Sequence, residues 1–341
     1  MPSDPSSERR PRLTPAIADV RRAVRSALHD GAAAEGQLVL VALSGGPDSL
    51  ALAAATAFEA PRAGIRAGAV IVDHGLQQGS ARVAARAAEQ ASALGLDPVL
   101  VKIVDVARDA SAGGPEAAAR DARYAALDAA ATDTGAVAIL LGHTLDDQAE
   151  TVLLGLARGA GAASLHGMAA VSGRLLRPLL GIRRAATVAA CADAGLEPWG
   201  DPHNDDPSFT RVRVRSVVLP VIERELGPGI AEALARTAEQ LREDGDALDH
   251  MVEETIEEIV EHAEAGIAIS VGALAANPAA LRHRIIRLVV ASEFGVSLSR
   301  AQTLAAAALV TDWHGQKGVD LPGIRVVRAA GSLVFSAASD E

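Results

Sequence analysis

From residue 37 onward the chain alternates short apolar runs with amphipathic stretches, a pattern that few architectures accept. The apolar runs cover residues 38–43, 69–72, 99–104 and 136–141 and are rich in Val, Ile or Leu. Runs that short, without polar alternation, are expected of strands covered on both faces. Helical spacing follows at 49–58, 80–94, 115–131 and 146–156. Strand–helix alternation predicts an α/β fold built on a doubly wound parallel sheet. Ligands of such sheets sit beyond the carboxyl ends of the strands, so the residues that follow each strand carry the functional information.

The first strand runs into Ser44-Gly45-Gly46-Pro47-Asp48-Ser49, which opens a helix. Paired glycines let backbone amides approach an anion, and the helix adds its positive end. A plain strand–helix turn capped by Asp48 or Ser49 is the competing reading. A Walker loop is excluded because no Gly-Lys-Ser/Thr occurs, and Gly45-Gly46 lacks the Gly-x-Gly-x-x-Gly spacing of a dinucleotide fingerprint. Without a loop Lys, the grip on pyrophosphate falls to amides, hydroxyls and Mg²⁺, for which Asp48 is the expected ligand. The loop resembles that of the ATP-pyrophosphatase superfamily, which splits ATP between its α and β phosphates, and whose fold is adenine nucleotide α-hydrolase-like. The second strand runs into Asp73-His74-Gly75, and the fourth into Gly142-His143-Thr144-Leu145-Asp146-Asp147. Ser44 to Ser49, Asp73, His74 and His143 are therefore the candidate nucleotide-binding residues.

Composition narrows the classes. A net charge of −11 argues against a general nucleic-acid coat, yet leaves room for a local basic groove. The two lysines, Lys102 and Lys317, leave nearly all positive charge to Arg, whose planar fork suits phosphates and carboxylates. The single Cys191 excludes an intrachain disulfide framework and a Cys-based metal or iron–sulfur site. No apolar run approaches a membrane span, and the first dozen residues lack an apolar h-region, so no membrane partner and a cytoplasmic location are expected.

Residues 1–15 read as a disordered tail and 16–220 as the catalytic domain. The turn-rich 201–207 connects to a smaller, mainly helical C-terminal domain at 225–341. Residues 223–264 read as an acidic, solvated helix and 318–335 as a hairpin with turns at Pro322-Gly323 and Gly331-Ser332.

Six motifs then occur in order: the Ser44 loop, Val72-Asp73-His74-Gly75-Leu76, the helix running from Glu116 through Arg120, Arg123 and Tyr124 to Leu127, Leu141-Gly142-His143-Thr144-Leu145-Asp146-Asp147-Gln148-Ala149-Glu150-Thr151, Gly159-Ala160-Gly161 with Gly167-Met168, and Arg177-Pro178-Leu179-Leu180. Together they resemble the tRNA(Ile)-lysidine synthetase family over residues 37–220. The resemblance implies ATP-dependent ligation of free L-lysine to carbon 2 of the wobble cytidine of tRNA(Ile) with a CAU anticodon, through an adenylated cytidine. Gln77 and Val212 depart from the family pattern of Arg and Asn at those places. A small-molecule adenylating ligase of the same superfamily and a catalytically silent RNA-binding protein stay open at this point.

The resemblance assigns catalytic roles to Asp147 and Arg123, Asp147 beside the lysine amine and Arg123 beside phosphate charge. The local alternatives are a capping box from Thr144 to Asp147 and a surface pair of Glu116 with Arg120 next to Arg123. Arg177, Arg211, Arg213 and Arg215 are the candidate RNA contacts. The last three alternate as in a strand, whereas the resemblance implies the start of a helix. The alternative use of these arginines is pairing with the protein's own acids.

Overall fold

The computed structural model describes residues 13–75, 79–104, 114–159, 161–201, 204, 206–263 and 266–338. Residues 1–12 of the expected tail, Gln77, Ala160 and His203 lie outside the described residues, as does the side chain of Glu116. Helix α1 (Pro15–Ala27) already starts ahead of residue 16. Thr14 caps it by accepting from the Ile17 amide, with Pro15 at the first helical position.

The chain forms two compact units, residues 1–240 and 241–341. In the first, strands β1 (Leu38–Ala42), β2 (Arg66–Asp73), β3 (Val99–Ile103) and β4 (Ala138–Leu140) alternate with helices α2 (Pro47–Glu59), α3 (Ser80–Ala93), α4 (Gly114–Thr134) and α5 (Leu145–Arg158). A short hairpin, β5 (Val171–Ser172) and β6 (Leu175–Leu176), completes the sheet, and α6 (Arg184–Asp193) follows it. The sheet order is β3-β2-β1-β4-β6-β5, parallel throughout except for the edge strand β5. This is the doubly wound sheet expected from the alternation.

Both faces of the sheet are apolar because successive side chains of β1 point to opposite sides. Val39 and Val41 join α1, α2, α3 and α6 in one core. Leu38 and Leu40 join Leu127, Ala130 and Ala131 of α4 in the other. Each fully buried Val or Leu contributes about 1.5–3 kcal/mol relative to exposure, so the paired faces hold the ligand edge of the sheet in place.

The first unit ends later than the sequence reading sets it. Helix α7 (Thr210–Arg213), a π-helical turn (Val214–Val218) and α8 (Leu219–Leu226) lead into the long α9 (Ile230–Ile259). Leu219, Ala231, Leu234 and Ala235 pack with Leu145, Ala149 and Val214. This apolar cluster ties the start of α9 to α5 and moves the division from about 220–225 to Gln240.

The second unit is mainly helical, as expected, and carries a larger sheet than the single expected hairpin. Strands β7 (Val260–Ala263), β8 (Gly266–Ser270), β9 (Val319–Leu321), β10 (Ile324–Ala329) and β11 (Ser332–Ala337) form an antiparallel sheet in the order β7-β8-β11-β10-β9. Helices α10 (Val271–Ala276), α11 (Ala279–Phe294) and α12 (Arg300–Thr311) share its core, where Phe335, Ile269, Leu274 and Ile285 are fully buried. Both expected turns exist, but they link three strands rather than two. Among the described residues no helix is long and apolar enough to cross a membrane.

Candidate active site

The loop at 44–49 closes on itself. Ser49 Oγ accepts from the Ser44 amide at 3.2 Å, lies 3.0 Å from Ser44 Oγ and donates to the Gly46 carbonyl at 3.0 Å. Gly45 has φ +84°, a backbone region glycine adopts without strain, and its carbonyl accepts from the Trp199 amide at 2.8 Å. Gly46 caps α2 and Pro47 opens it, so the first amides of the helix face the loop without intrahelical partners. Gly142, at the end of β4, is pressed against this loop. A Cβ there would stand 3.0 Å from the Ser49 amide nitrogen, so only glycine lets the two strand ends approach this closely.

Asp48 does not present a free carboxylate. Its Oδ2 accepts from Arg184 Nε at 3.0 Å and its Oδ1 accepts from the Thr187 hydroxyl. Burial pushes its pKa up, against the pull of Arg184 and Thr187. Each Asp48 oxygen thus already accepts one hydrogen bond, from Arg184 or Thr187. Among the described residues no group of three His, Cys, Asp or Glu could hold a metal ion. Helix α6 supplies the clamp. Arg184, Thr187 and Cys191 lie on one face at i, i+3 and i+7, and Cys191 Sγ donates to the Pro47 carbonyl at 3.3 Å.

Asp147 does two things at once. Its Oδ2 accepts from the Thr144 amide and hydroxyl, both at 2.8 Å, completing the capping box of α5. Its Oδ1 accepts from Arg184 Nη2 at 2.8 Å and Arg215 Nη2 at 3.4 Å, bonds that a cap does not require. Burial would raise its pKa, but Arg184, the Thr144 amide and Arg211 outweigh it and hold the carboxylate below its usual range. One turn further on the same face, the Glu150 carboxylate is fully buried. It accepts from Arg211 Nε at 2.9 Å and from Arg215 Nε at 2.6 Å and Nη2 at 3.0 Å, with Arg184 Nη1 at 3.5 Å.

The expected RNA contacts are therefore occupied by the protein itself. Arg211 and Arg215 lie four residues apart on helical backbone, as the resemblance implied, and both reach Glu150. Arg213 donates to the Pro207 and Ser208 carbonyls, each at 2.7 Å, and to Thr210 Oγ1 at 3.0 Å. Arg177 is buried and donates to the Ala169 carbonyl at 2.7 Å. Val212 and Val214 are buried, and Val214 packs with Leu145 and Ala149.

A second group of residues gathers around Arg123, whose guanidinium has no ion pair with a carboxylate among the described residues. Burial, with Arg120 and Arg211, lowers the Arg123 pKa; its partners are Tyr124 and its ring, 5.6 Å away. Burial and nearby Arg123 lower the pKa of His74. Burial, with Arg177, Arg123 and Arg211, brings His143 down to about 4 despite Asp147. Both rings are thus neutral near pH 7, and Nδ1 of each is buried with no hydrogen-bond partner among the described residues. Asp73 lies beside them, and its Oδ1 accepts from the Gly75 amide at 3.0 Å, so one of its oxygens shapes the turn. Against the acid side of the site lies a cavity of about 370 Å³, lined by Asp146, Glu150, Arg183, Arg215 and Glu223 with Leu219, Pro220 and Ala231.

The PP-loop domain family matches residues 18–222, and the TilS substrate binding domain family matches 269–334. A tRNA(Ile)-lysidine synthase from Leifsonia xyli subsp. xyli is 68% identical over 303 residues, 89% of this chain and 90% of that protein. The chain belongs to the tRNA(Ile)-lysidine synthase family. The tRNA(Ile)-lysidine synthase from Thermobifida fusca is 53% identical over 326 residues, 95% of this chain and 98% of its own. The solved structure of the U34-tRNA thiolase NcsA from Methanococcus maripaludis superposes with a TM-score of 0.56 at 20% identity, covering 67% of this chain and 80% of that one, which supports the fold. The PP-loop domain marks this lysidine synthase family member as an ATP user.

Two residues at the centre of the site carry no catalytic expectation from sequence. Glu150 stands three residues after Asp147, a spacing that puts both carboxylates on one helix face. Arg184 falls among the basic-surface arginines when α6 goes unrecognised, although the Arg184–Thr187–Cys191 spacing is present in the sequence.

Proposed function

We propose that this chain joins free L-lysine to carbon 2 of the wobble cytidine of a tRNA(Ile) with a CAU anticodon, consuming one ATP. The observation that carries this reading is that one guanidinium, Arg184, touches both the loop residue Asp48 and Asp147, so the anion loop and the second-step carboxylate share one site. In the first step the cytosine O2 attacks the α-phosphorus and pyrophosphate leaves. In the second the lysine ε-nitrogen attacks carbon 2, and AMP departs with that oxygen. Magnesium enters as the Mg·ATP substrate. Amides of the loop and the start of α2 grip the leaving pyrophosphate, and the half-buried Arg123 guanidinium stabilises phosphate charge.

Asp147, with its lowered pKa, accepts a proton poorly. Its role is to draw the ε-ammonium by charge, and the proton leaves with solvent or the departing nucleotide. The cavity beside it falls within the size range of small-molecule sites. Asp146, Glu150 and Glu223 suit the ammonium groups of lysine, and Arg183 and Arg215 suit its carboxylate. The tRNA backbone is assigned to the second unit, where Arg284, Arg287 and Arg300 lie close enough together to lower the Arg287 pKa, after burial. The enzyme works in the cytoplasm. The test is product analysis with tRNA, ATP and lysine: AMP, pyrophosphate and a lysine-modified anticodon nucleoside are expected, and ADP with phosphate would overturn the reading.

A further inference from the structure

Arg184 sits at the wrong end of a helix for a cation. It is the first residue of α6, where the helix dipole disfavours positive charge. Its backbone amide donates to Asp146 Oδ2 at 2.7 Å, and its side chain is only 22% exposed. The guanidinium spreads over three carboxylates on two other elements: Asp48 of α2 at 3.0 Å, and Asp147 and Glu150 of α5 at 2.8 and 3.5 Å. Neither helix stability nor surface solvation accounts for that placement. Asp48 and Asp147 also repel one another, so without a shared cation the loop and α5 would move apart at their acid ends.

We propose that Arg184 is a positioning residue for the ligation: its planar fork fixes the Asp48 end of the anion loop against Asp147, so that ATP cleavage and lysine attack occur at one registered centre. The proposal rests on the lysidine reading above. It follows from the geometry that charge alone is insufficient. Nε and Nη2 address different carboxylates in a fixed plane, an arrangement a lysine ammonium cannot reproduce. Thr187, one turn on, supplies the second bond to Asp48, and among the described residues Arg184 is the only contact that reaches both helices from α6.

The experiment compares wild type, Arg184→Lys and Arg184→Gln with tRNA(Ile), ATP and lysine, scoring pyrophosphate release per active molecule from burst titration, with folding followed by circular dichroism. A misplacement near 1 Å costs about 10²-fold in rate. Arg184→Gln is therefore expected to lose about 10²-fold in kcat and Arg184→Lys about tenfold, while KM for ATP and for lysine stays within about threefold, the signature of lost transition-state geometry. A purely structural role would lower the active fraction and leave kcat per active site unchanged, and that result overturns the proposal. If Arg184→Gln fails to fold, Arg184→Lys decides alone: kcat within about threefold of wild type refutes. A wild-type protein without tRNA-dependent pyrophosphate release refutes the lysidine reading, and the proposal with it.

Discussion

Replacing Glu150 by Gln tests whether the arginines of the first unit are structural. The Glu150 side chain is 0% exposed and meets guanidiniums of Arg211 and Arg215 at 2.9 and 2.6 Å, with Arg184 at 3.5 Å. Gln keeps the volume, but its amide NH₂ faces donors where a carboxylate oxygen accepted. Removing one partner of a buried ion pair costs roughly 3–5 kcal/mol because the remaining charge is stranded. The three arginine side chains are 30%, 29% and 22% exposed, so water relieves part of that cost. The lower end, about 3 kcal/mol, is the expected value. For a unit of this size 1 kcal/mol moves Tm by about 2–4 °C, which gives a fall of about 6–12 °C. Thermal unfolding of both proteins at one pH and concentration measures it. In the double variant with Arg215→Gln the losses should be less than additive. A Tm within about 2 °C of wild type would mean that Glu150 holds these arginines by proximity alone.

Asp147→Asn and Arg123→Ala should abolish lysidine formation; Asp147→Asn also costs about 1 kcal/mol from the capping box, and turnover equal to wild type in either would remove the assigned role. His143 takes up its proton only at about 4, below an unfolded value near 6.5. The unfolded chain therefore binds more protons between those values, and stability falls as pH drops from about 6.5 to about 4, by up to about 1.4 kcal/mol per unit. His143→Gln should flatten that part of a denaturation series, and an unaltered slope would refute the buried neutral ring. In tRNA binding across a salt series, changing Arg287 and Arg300 to Gln should flatten the slope by up to about two phosphate contacts, each worth about 0.7–0.9. Changing Arg211, Arg213 and Arg215 should flatten it by at most about one; the reverse order would return the RNA surface to the first unit.

The sheet was readable because its signals are local. Four apolar runs became β1 to β4, each within a few residues of its expected span, since strands buried on two faces have little freedom in composition. The Ser44–Ser49 bonds of the loop and the capping box at Thr144 were readable for the same reason, since those partners lie within six residues. What could not be read is pairing across distance. Arg184 meets Asp48 across 136 residues, and Arg211 meets Glu150 across 61. A local count of positive charge between 174 and 215 suggested a groove for RNA, but the count cannot register carboxylates brought in from α2 and α5. The second unit was underestimated as sheet because β7 continues directly from a long acidic helix. Glu264-Ala265, the dipeptide between β7 and β8, contains none of the Gly, Pro, Asn or Asp that mark a hairpin turn.

The paired and unpaired charges divide the site by reaction step. On the side of His74, Arg123 and His143, two buried ring nitrogens have no hydrogen-bond partner among the described residues, and no carboxylate is among the largest influences on Arg123. In the proposed reaction the desolvated Arg123 cation suits the adenylation half, where phosphate charge develops first. On the side of Asp147 and Glu150 the carboxylates are already paired with Arg184, Arg211 and Arg215. Asp147, held below its usual range, does not take a proton readily. Arg184 stands where the two halves meet, touching the loop residue Asp48 on one side and Asp147 on the other, which is the contact the proposed two-step chemistry depends on.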